Sequence, residues 1–251
     1  MADHLSELRA SVLRLRQLVA SIDDPDLSRP AYPVQWTIAD VLSHLGSGAV
    51  ITQRRLDDTL SGRDTPPDFA TGVWDDWNSK SPTAQRDDAL AADADLLVQL
   101  DATTVDQRER FSAAMGPMTF GFDEFVAMRL NEHVLHTWDV DVADNPDATL
   151  SLDAAALIID NLDLIARFTA VPTGEPTKIT VATTEPERRF TVTSARDTVT
   201  LSNAKAETSP DLVLLAEAFV RLVYGRLDPD HTPVGHHGIH LDTLRRIYPG
   251  P

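Results

Sequence analysis

The sequence predicts an α+β protein: a four-helix bundle at the N-terminus followed by a small α+β domain. Three observations lead to this. An apolar stripe in the first segment, and caps and chain breakers in the next three, mark four helices that reach as far as Val142. Beyond Pro172, Gly174 and Pro176 the apolar period drops to two. Between the two regimes Asn145-Pro146 breaks the chain. Residues 1–146 are therefore expected to form the bundle and 147–251 the second domain, with the boundary near residues 146–150. Four helices joined by loops stack as antiparallel neighbours. Short strands interleaved with helical segments form an α+β layer with a mostly antiparallel sheet.

Leu5, Leu8, Val12, Leu15, Val19 and Ile22 step by 3, 4, 3, 4 and 3, a single apolar stripe that favours core packing over a partner-binding role. Asp23-Asp24-Pro25 and Arg29-Pro30 then stop this first helix. Thr37 is an N-cap with Asp40 in the acidic first turn, so a second helix runs from Ile38 to about Leu60. Ser61-Gly62 and Pro66-Pro67 end it, and a loop carrying Trp74 and Trp77 is expected next. Ser81-Pro82 opens a third helix towards Leu100, with Pro at its first position. Gly116-Pro117 marks a turn, and a fourth helix starts after Gly121 and runs to about Val142. Leu152 to Phe168 reads as one more helix. Ile179 with Val181, Phe190 with Val192, and Val199 with Leu201 mark three strands. Leu212 to Leu227 reads as mostly helical, with a start that could extend a strand, and Leu241 to Ile247 as a short last helix.

Composition narrows the chemistry. The chain has 251 residues, 42% of them apolar, enough for one large domain or two small ones. Its 22 Lys and Arg face 39 Asp and Glu, a formal charge of -17 that favours solubility and repels nucleic acid and anionic membranes. Cysteine is absent, which removes disulfides, Cys-ligated zinc and a Cys nucleophile; any thiol must come from outside the chain. Residues 1–22 carry charges throughout and have no apolar core of a signal peptide. No window approaches the roughly 18 apolar residues of a membrane span, so a cytoplasmic protein is expected.

The fourth helix carries the chemical signal. Glu132 and His136 are four apart and project from one helix face, one turn from each other. A carboxylate and an imidazole so placed can reach one metal ion. His44, seven residues after Thr37, sits among Val41, Leu42 and Leu45 and is the best third ligand. Two imidazoles and one carboxylate leave a coordination position open, which marks a catalytic rather than a structural site. Zinc suits such a set best, although iron, nickel and manganese accept it too. Asp139 lies three residues after His136 and could orient its imidazole. Plainer explanations stand beside this. Arg129 is three residues before Glu132 and could simply pair with it, His44 could be a core histidine, and His133 competes as an imidazole although it points about 100° away from Glu132.

The segment Pro33 to Gly46, with Trp36, Thr37 and His44, resembles a motif of the mycothiol-dependent maleylpyruvate isomerase family. The segment Arg129 to Val140, with Glu132, His136, Trp138 and Asp139, looks like that family's second motif. Val34 and Gln35 depart from the small residue or cysteine and the glycine that often precede the tryptophan. Trp36 itself reads as a packing residue. The resemblance implies a DinB-like metal-binding bundle with His44, Glu132 and His136 as ligands, and a C-terminal domain resembling sterol carrier proteins. It implies mycothiol as thiol cosubstrate and a divalent metal, with zinc first. It also implies that Arg226, in Tyr224-Gly225-Arg226-Leu227, turns towards the metal cleft, where it could grip a substrate carboxylate; Arg221 is its rival. Both arginines also suit a plain role near a helix C-terminus. His231, His236, His237 and His240 sit among glycines and a proline and read as weak, adventitious metal binders.

The implied reaction is thiol-dependent cis-trans isomerisation, or S-transfer, on a small electrophile. Two further functions remain open on the residues alone: a metal-dependent hydrolase on the same bundle, and a non-enzymatic binding protein with a structural metal. A monomer or homodimer acting on a small molecule, without nucleic acid or membrane, is expected.

Overall fold

The computed structural model describes residues 3–116, 118–205 and 209–250 and divides at Asn145/Pro146 into two compact units. Each unit follows from its own pattern of apolar residues and caps.

In the first unit α1 (His4–Val19) is capped by Asp3, whose carboxylate accepts from Ser6 N at 2.8 Å. Its stripe of Leu8, Val12, Leu15 and Val19 is buried. Ile22 is buried as well but lies past the helix end, followed by a short 3-10 turn at Asp24–Ser28. α2 (Ile38–Leu60) starts at Thr37 with a reciprocal cap: Thr37 Oγ1 accepts from Asp40 N, and Asp40 accepts from Thr37 N. α4 (Pro82–Ala102) begins with Pro82 behind the Ser81 cap. α6 (Phe122–Asp141) follows Gly121, whose N–H donates to Glu124. α1, α2, α4 and α6 make the bundle, with α1 against α6 and α2 against α4.

Three elements of this unit depart from the expectation. The stretch with Trp74 and Trp77 is not a loop but α3 (Phe69–Asn78), which packs on α2. Phe69, Val73 and Trp77 recur every four residues, a helical period that the preceding Pro66-Pro67 obscured. α5 (Val105–Arg110) is a single capped turn-and-a-half whose residues are largely exposed, so it carries no apolar stripe. β1 (Ala113–Met115) pairs antiparallel with β2 (Met118–Phe120). Gly116 sits in this turn at φ 60°, while Pro117 of the expected Gly-Pro turn lies outside the described residues.

The second unit opens with α7 (Leu152–Ile158) and α8 (Leu162–Thr169), separated by a 3-10 turn at Ile159–Asn161. The single helix expected here is thus broken. Asp160 and Asn161 lie at the break, where the Asp160 carboxylate accepts from the Arg188 guanidinium. A sheet of order β5-β4-β3-β6-β7 follows. Its strands are β3 (Thr177–Thr184), β4 (Arg188–Ser194), β5 (Val199–Asn203), β6 (Leu212–Leu215) and β7 (His237–Gly238). The β3–β6 pair is parallel and the other pairs are antiparallel. The segment from Leu212 is a strand before it is a helix, because β6 passes directly into α9 (Ala216–Val223). α10 (Leu241–Ile247) is the last helix, as expected. Ile179, Val181, Phe190, Val192 and Leu212 build the sheet's buried face, on which Phe219 of α9 stacks against Phe190 at 5.0 Å between ring centroids.

Gly46 sets the close approach of α2 to its neighbours. A Cβ there would lie 2.2 Å from the Trp77 ring and 2.9 Å from Ala89 Cα of α4. Overpacking of this kind costs about 1–3 kcal/mol, against about 1 kcal/mol that alanine returns in helix propensity. Gly46→Ala is therefore expected to lower the stability of the first unit, measured as a lower urea midpoint at unchanged m value.

Candidate functional site

The chain between α1 and α2 is pinned before it enters the site. Pro30 bridges to Thr37, Ala31 N donates to Trp36 O at 2.9 Å, and Trp36 N donates to Pro33 O at 2.7 Å. Tyr32 N donates to Asp139 O at 3.3 Å, and the Tyr32 ring meets the buried Trp138 edge-on at 4.8 Å. This turn delivers Trp36 to the wall of the site. Its ring lies 5.3 Å from the His44 ring and stacks at 5.7 Å on the His136 ring.

His44 from α2 meets Glu132 and His136 from α6. Among the described residues these three form the one group whose donor atoms could share an ion, all lying within 4.8 Å of one another. Glu132 Oε2 is 3.2 Å from His44 Nε2 and 3.7 Å from His136 Nε2. The two imidazole rings are 4.5 Å apart. Asp139, fully buried, holds His136 Nδ1 at 2.8 Å, so Nε2 is the ring nitrogen presented to Glu132. Desolvation by itself would raise the Glu132 carboxyl. The hydrogen bond from His44 and the charges of His136, His44 and Arg129 outweigh it and push the group down to about 2. A group held ionised between two imidazoles is a ready anionic ligand. Two imidazole nitrogens and one carboxylate oxygen suit a divalent ion of zinc type.

Directly beneath lies a second cluster that the sequence did not disclose. His133 does not join the triad; it turns into the bundle, where Nε2 meets Asp93 Oδ2 at 3.1 Å and Nδ1 meets Ser11 Oγ at 2.8 Å. Arg129 pairs with Asp93 Oδ1 at 2.7 Å and donates to Leu45 O at 2.8 Å, so its close partner is Asp93 rather than Glu132. Asp93 is 1% exposed and Arg129 5%. Burial works to raise Asp93, but the charges and hydrogen bonds of His133 and Arg129 hold its carboxyl below the usual range. One signal could have found this cluster: Asp93 occupies the apolar stripe of α4, four after Ala89 and three before Leu96.

Two cavities flank His44. One, of about 400 Å³, is bordered by Trp36, Asp40 and Asn78; the other, of about 290 Å³, is bordered by Arg55, Met128 and Glu132. Trp74 of α3 borders both, a role its expected place in a loop did not suggest.

In the second unit Arg221 is 1% exposed and grips Glu217 through Nε at 2.8 Å and Nη2 at 3.0 Å, while Nη1 donates to His231 O at 2.9 Å. Its guanidinium thus ties α9 to the following loop. Arg226 is also buried, and its Nη1 donates to Tyr224 O at 3.0 Å. The C-terminal histidines do not assemble a three-ligand group among the described residues; His231 instead pairs with Asp228 at 2.8 Å.

Residues 8–141 match the family model described as mycothiol maleylpyruvate isomerase N-terminal domain. Two solved structures resemble most of the chain. The mycothiol-dependent maleylpyruvate isomerase is 17% identical with a TM-score of 0.64, covering 89% of this chain and 88% of that one. A histidine-to-alanine mutant of the mycothiol-dependent maleylpyruvate isomerase is 16% identical with a TM-score of 0.65 over the same shares. No curated protein matches the chain.

Removing one partner of a buried ion pair costs about 3–5 kcal/mol, because the other charge is left uncompensated. Asp93→Ala, which strands Arg129, is expected to lose that much stability at pH 7 in urea unfolding. The Asp93 carboxyl is depressed in the fold, so its contribution is complete above about pH 5 and drains away as pH falls below about 4. The gap between wild type and variant should narrow over that acid range.

Proposed function

The chain belongs to the mycothiol maleylpyruvate isomerase family, and on that premise we propose that it is a divalent-metal-dependent isomerase that uses mycothiol as cosubstrate on a small cis-alkene electrophile. The single observation that carries this reading is the convergence of His44, Glu132 and His136 within 4.8 Å at the edge of two cavities. That family is one of isomerase enzymes, and the absence of cysteine from the chain accords with a thiol supplied from outside.

The proposed ligands are His44, Glu132 and His136, with zinc the best match for two imidazoles and a carboxylate. A bound divalent cation would lower the pKa of a thiol presented to it, making a nucleophile at neutral pH. The chain's own residues prepare that encounter. Asp139 keeps His136 Nε2 turned towards Glu132. Trp36 stacks on the His136 ring and lies tilted against the His44 ring. Glu132 stays ionised across the neutral range, so it competes for a cation without first losing a proton. In the isomerase reaction the thiolate adds to one alkene carbon, the former double bond rotates as a single bond, and expulsion of the thiolate leaves the trans isomer. In an S-transferase the adduct would persist.

We assign the second unit as a domain resembling sterol carrier proteins and Arg226 as a grip for a substrate carboxylate. We propose a monomer or homodimer, and the charge of -17 favours small-molecule partners over nucleic acid. No helix among the described residues is long and apolar enough to cross a membrane, and we place the enzyme in the cytoplasm.

Metal analysis of the purified chain tests the ligand set. His44→Ala and Glu132→Ala are expected to lose the metal, whereas full occupancy in His44→Ala would reject that residue. Asp139→Asn should keep the fold but weaken metal affinity about 10–100-fold. With cobalt in place of the native metal, added mycothiol should produce a sulfur-to-cobalt charge-transfer band. Turnover of an ester or amide without any thiol would instead favour a hydrolase.

A further inference from the structure

We propose that residues 29–37 clamp the start of α2 to the end of α6, and that Arg29, outside the site, is a positioning residue for the metal ligands. This rests on the ligand set proposed above and adds what holds that set at coordination spacing.

The three ligands come from two helices, so their spacing depends on how α2 and α6 are held together. An ion bound tetrahedrally at about 2.0–2.1 Å sets its ligand atoms about 3.3 Å apart. Glu132 Oε2 stands 3.2 Å from His44 Nε2 and 3.7 Å from His136 Nε2. Packing alone thus brings these atoms near that spacing, and a relative shift of about 1 Å between the helices would undo it. Deeper in the bundle, Arg129 of α6 donates to Leu45 O of α2 at 2.8 Å. Gly48 permits this crossing, since a Cβ there would lie 2.8 Å from Arg129 Nη1.

The other tie is the segment from Arg29 to Thr37. Its two ends meet: Ile38 N donates to Arg29 O at 3.0 Å, and Pro30 bridges to Thr37, the cap of α2. From this closed base two contacts reach α6 and the turn after it. Arg29 grips Asp144, three residues past the helix, through Nη1–Oδ1 and Nη2–Oδ2 bonds of 2.8 and 2.9 Å. Asp26 is further off, 3.6 Å from Nε. Tyr32 N donates to Asp139 O at 3.3 Å. Asp139 therefore joins clamp and site, because its carboxylate holds His136 Nδ1 at 2.8 Å. Trp36, on the same segment, stacks on the His136 ring. At 1.5 Å per residue, His44 lies about 9 Å along α2 from Ile38, and His136 about 8 Å before Asp141 on α6. The clamp thus acts at a similar distance from the ligands on both helices.

The side chains of Arg29 and Asp144 are 41% and 54% exposed. Pairs so exposed contribute little to stability, whereas a bidentate fork fixes direction. Positioning can therefore be separated from folding by experiment.

The test is zinc affinity, read by competition with a chromogenic chelator on the full chain, with folding checked by circular dichroism. Arg29→Gln and Asp144→Asn are each expected to weaken zinc binding about 3–10-fold, less than loss of a group that touches a ligand. The double variant should bind no more weakly than either single one, because both substitutions remove the same contact. Arg29→Lys keeps the charge without the fork and should fall between; it also serves if Arg29→Gln does not fold. Unchanged zinc affinity with a lower urea midpoint marks a merely structural pair and overturns the proposal, as do additive losses in the double variant. Equal affinity in all variants overturns this proposal alone, whereas a wild type that binds no zinc overturns the ligand set as well.

Discussion

A buried carboxylate decides which way α6 faces. Asp93 of α4 holds both Arg129 and His133, one helical turn apart on α6, and so anchors that helix at two points. Consecutive helix residues are about 100° apart around the axis. Once Arg129 and His133 are turned inward, Glu132 and His136 must lie on the adjoining face, where α2 brings His44. The charged network also reaches α1 through Ser11 and α2 through the Leu45 carbonyl, so one ionic cluster joins all four bundle helices. A two-point anchor of this kind fixes rotation as well as position, which apolar packing alone does less well.

The two clusters on α6 divide the labour by burial. The Asp93 cluster is sealed from water, and its charges are matched and hydrogen-bonded inside the bundle. The triad lies one turn outward. His136 is mostly buried and locked by Asp139, whereas His44 and Glu132 remain half-exposed. Rigid support beneath and access from above are what a site with an exchangeable coordination position requires. The cavities on either side of His44 differ in lining, with Asp40, Gln35 and Asn78 on one flank and Arg55, Arg129 and Glu132 on the other.

Legibility in the sequence tracked the strength of local signals. α1 was readable from its apolar stripe, and α2, α4 and α6 from the residues at their starts, Thr37, Ser81 and Gly121. The strands around Val181, Val192 and Leu201 were readable from alternation. α3 was not, because Pro66-Pro67 suggested a loop and the helix is only 10 residues long. The break between α7 and α8 hid inside an apolar run, since apolar composition does not distinguish one helix from two. At the site, the four-residue step from Glu132 to His136 was visible, but Arg129, three residues before Glu132, allowed a simple pair instead. Only packing revealed that Arg129 was already engaged.

Local sequence thus determined the element types, the caps, the facing of Glu132 and His136 on one helix, and the lack of any protein thiol. Tertiary structure decided that His44 meets them, that His133 and Arg129 are committed to Asp93, and that Trp74 and Arg55 border one cavity together. The reason is that helical period and capping act over a few residues along the chain. Convergence of α2, α4 and α6 depends on long-range packing and on a buried charge whose partners are 36 and 40 residues away.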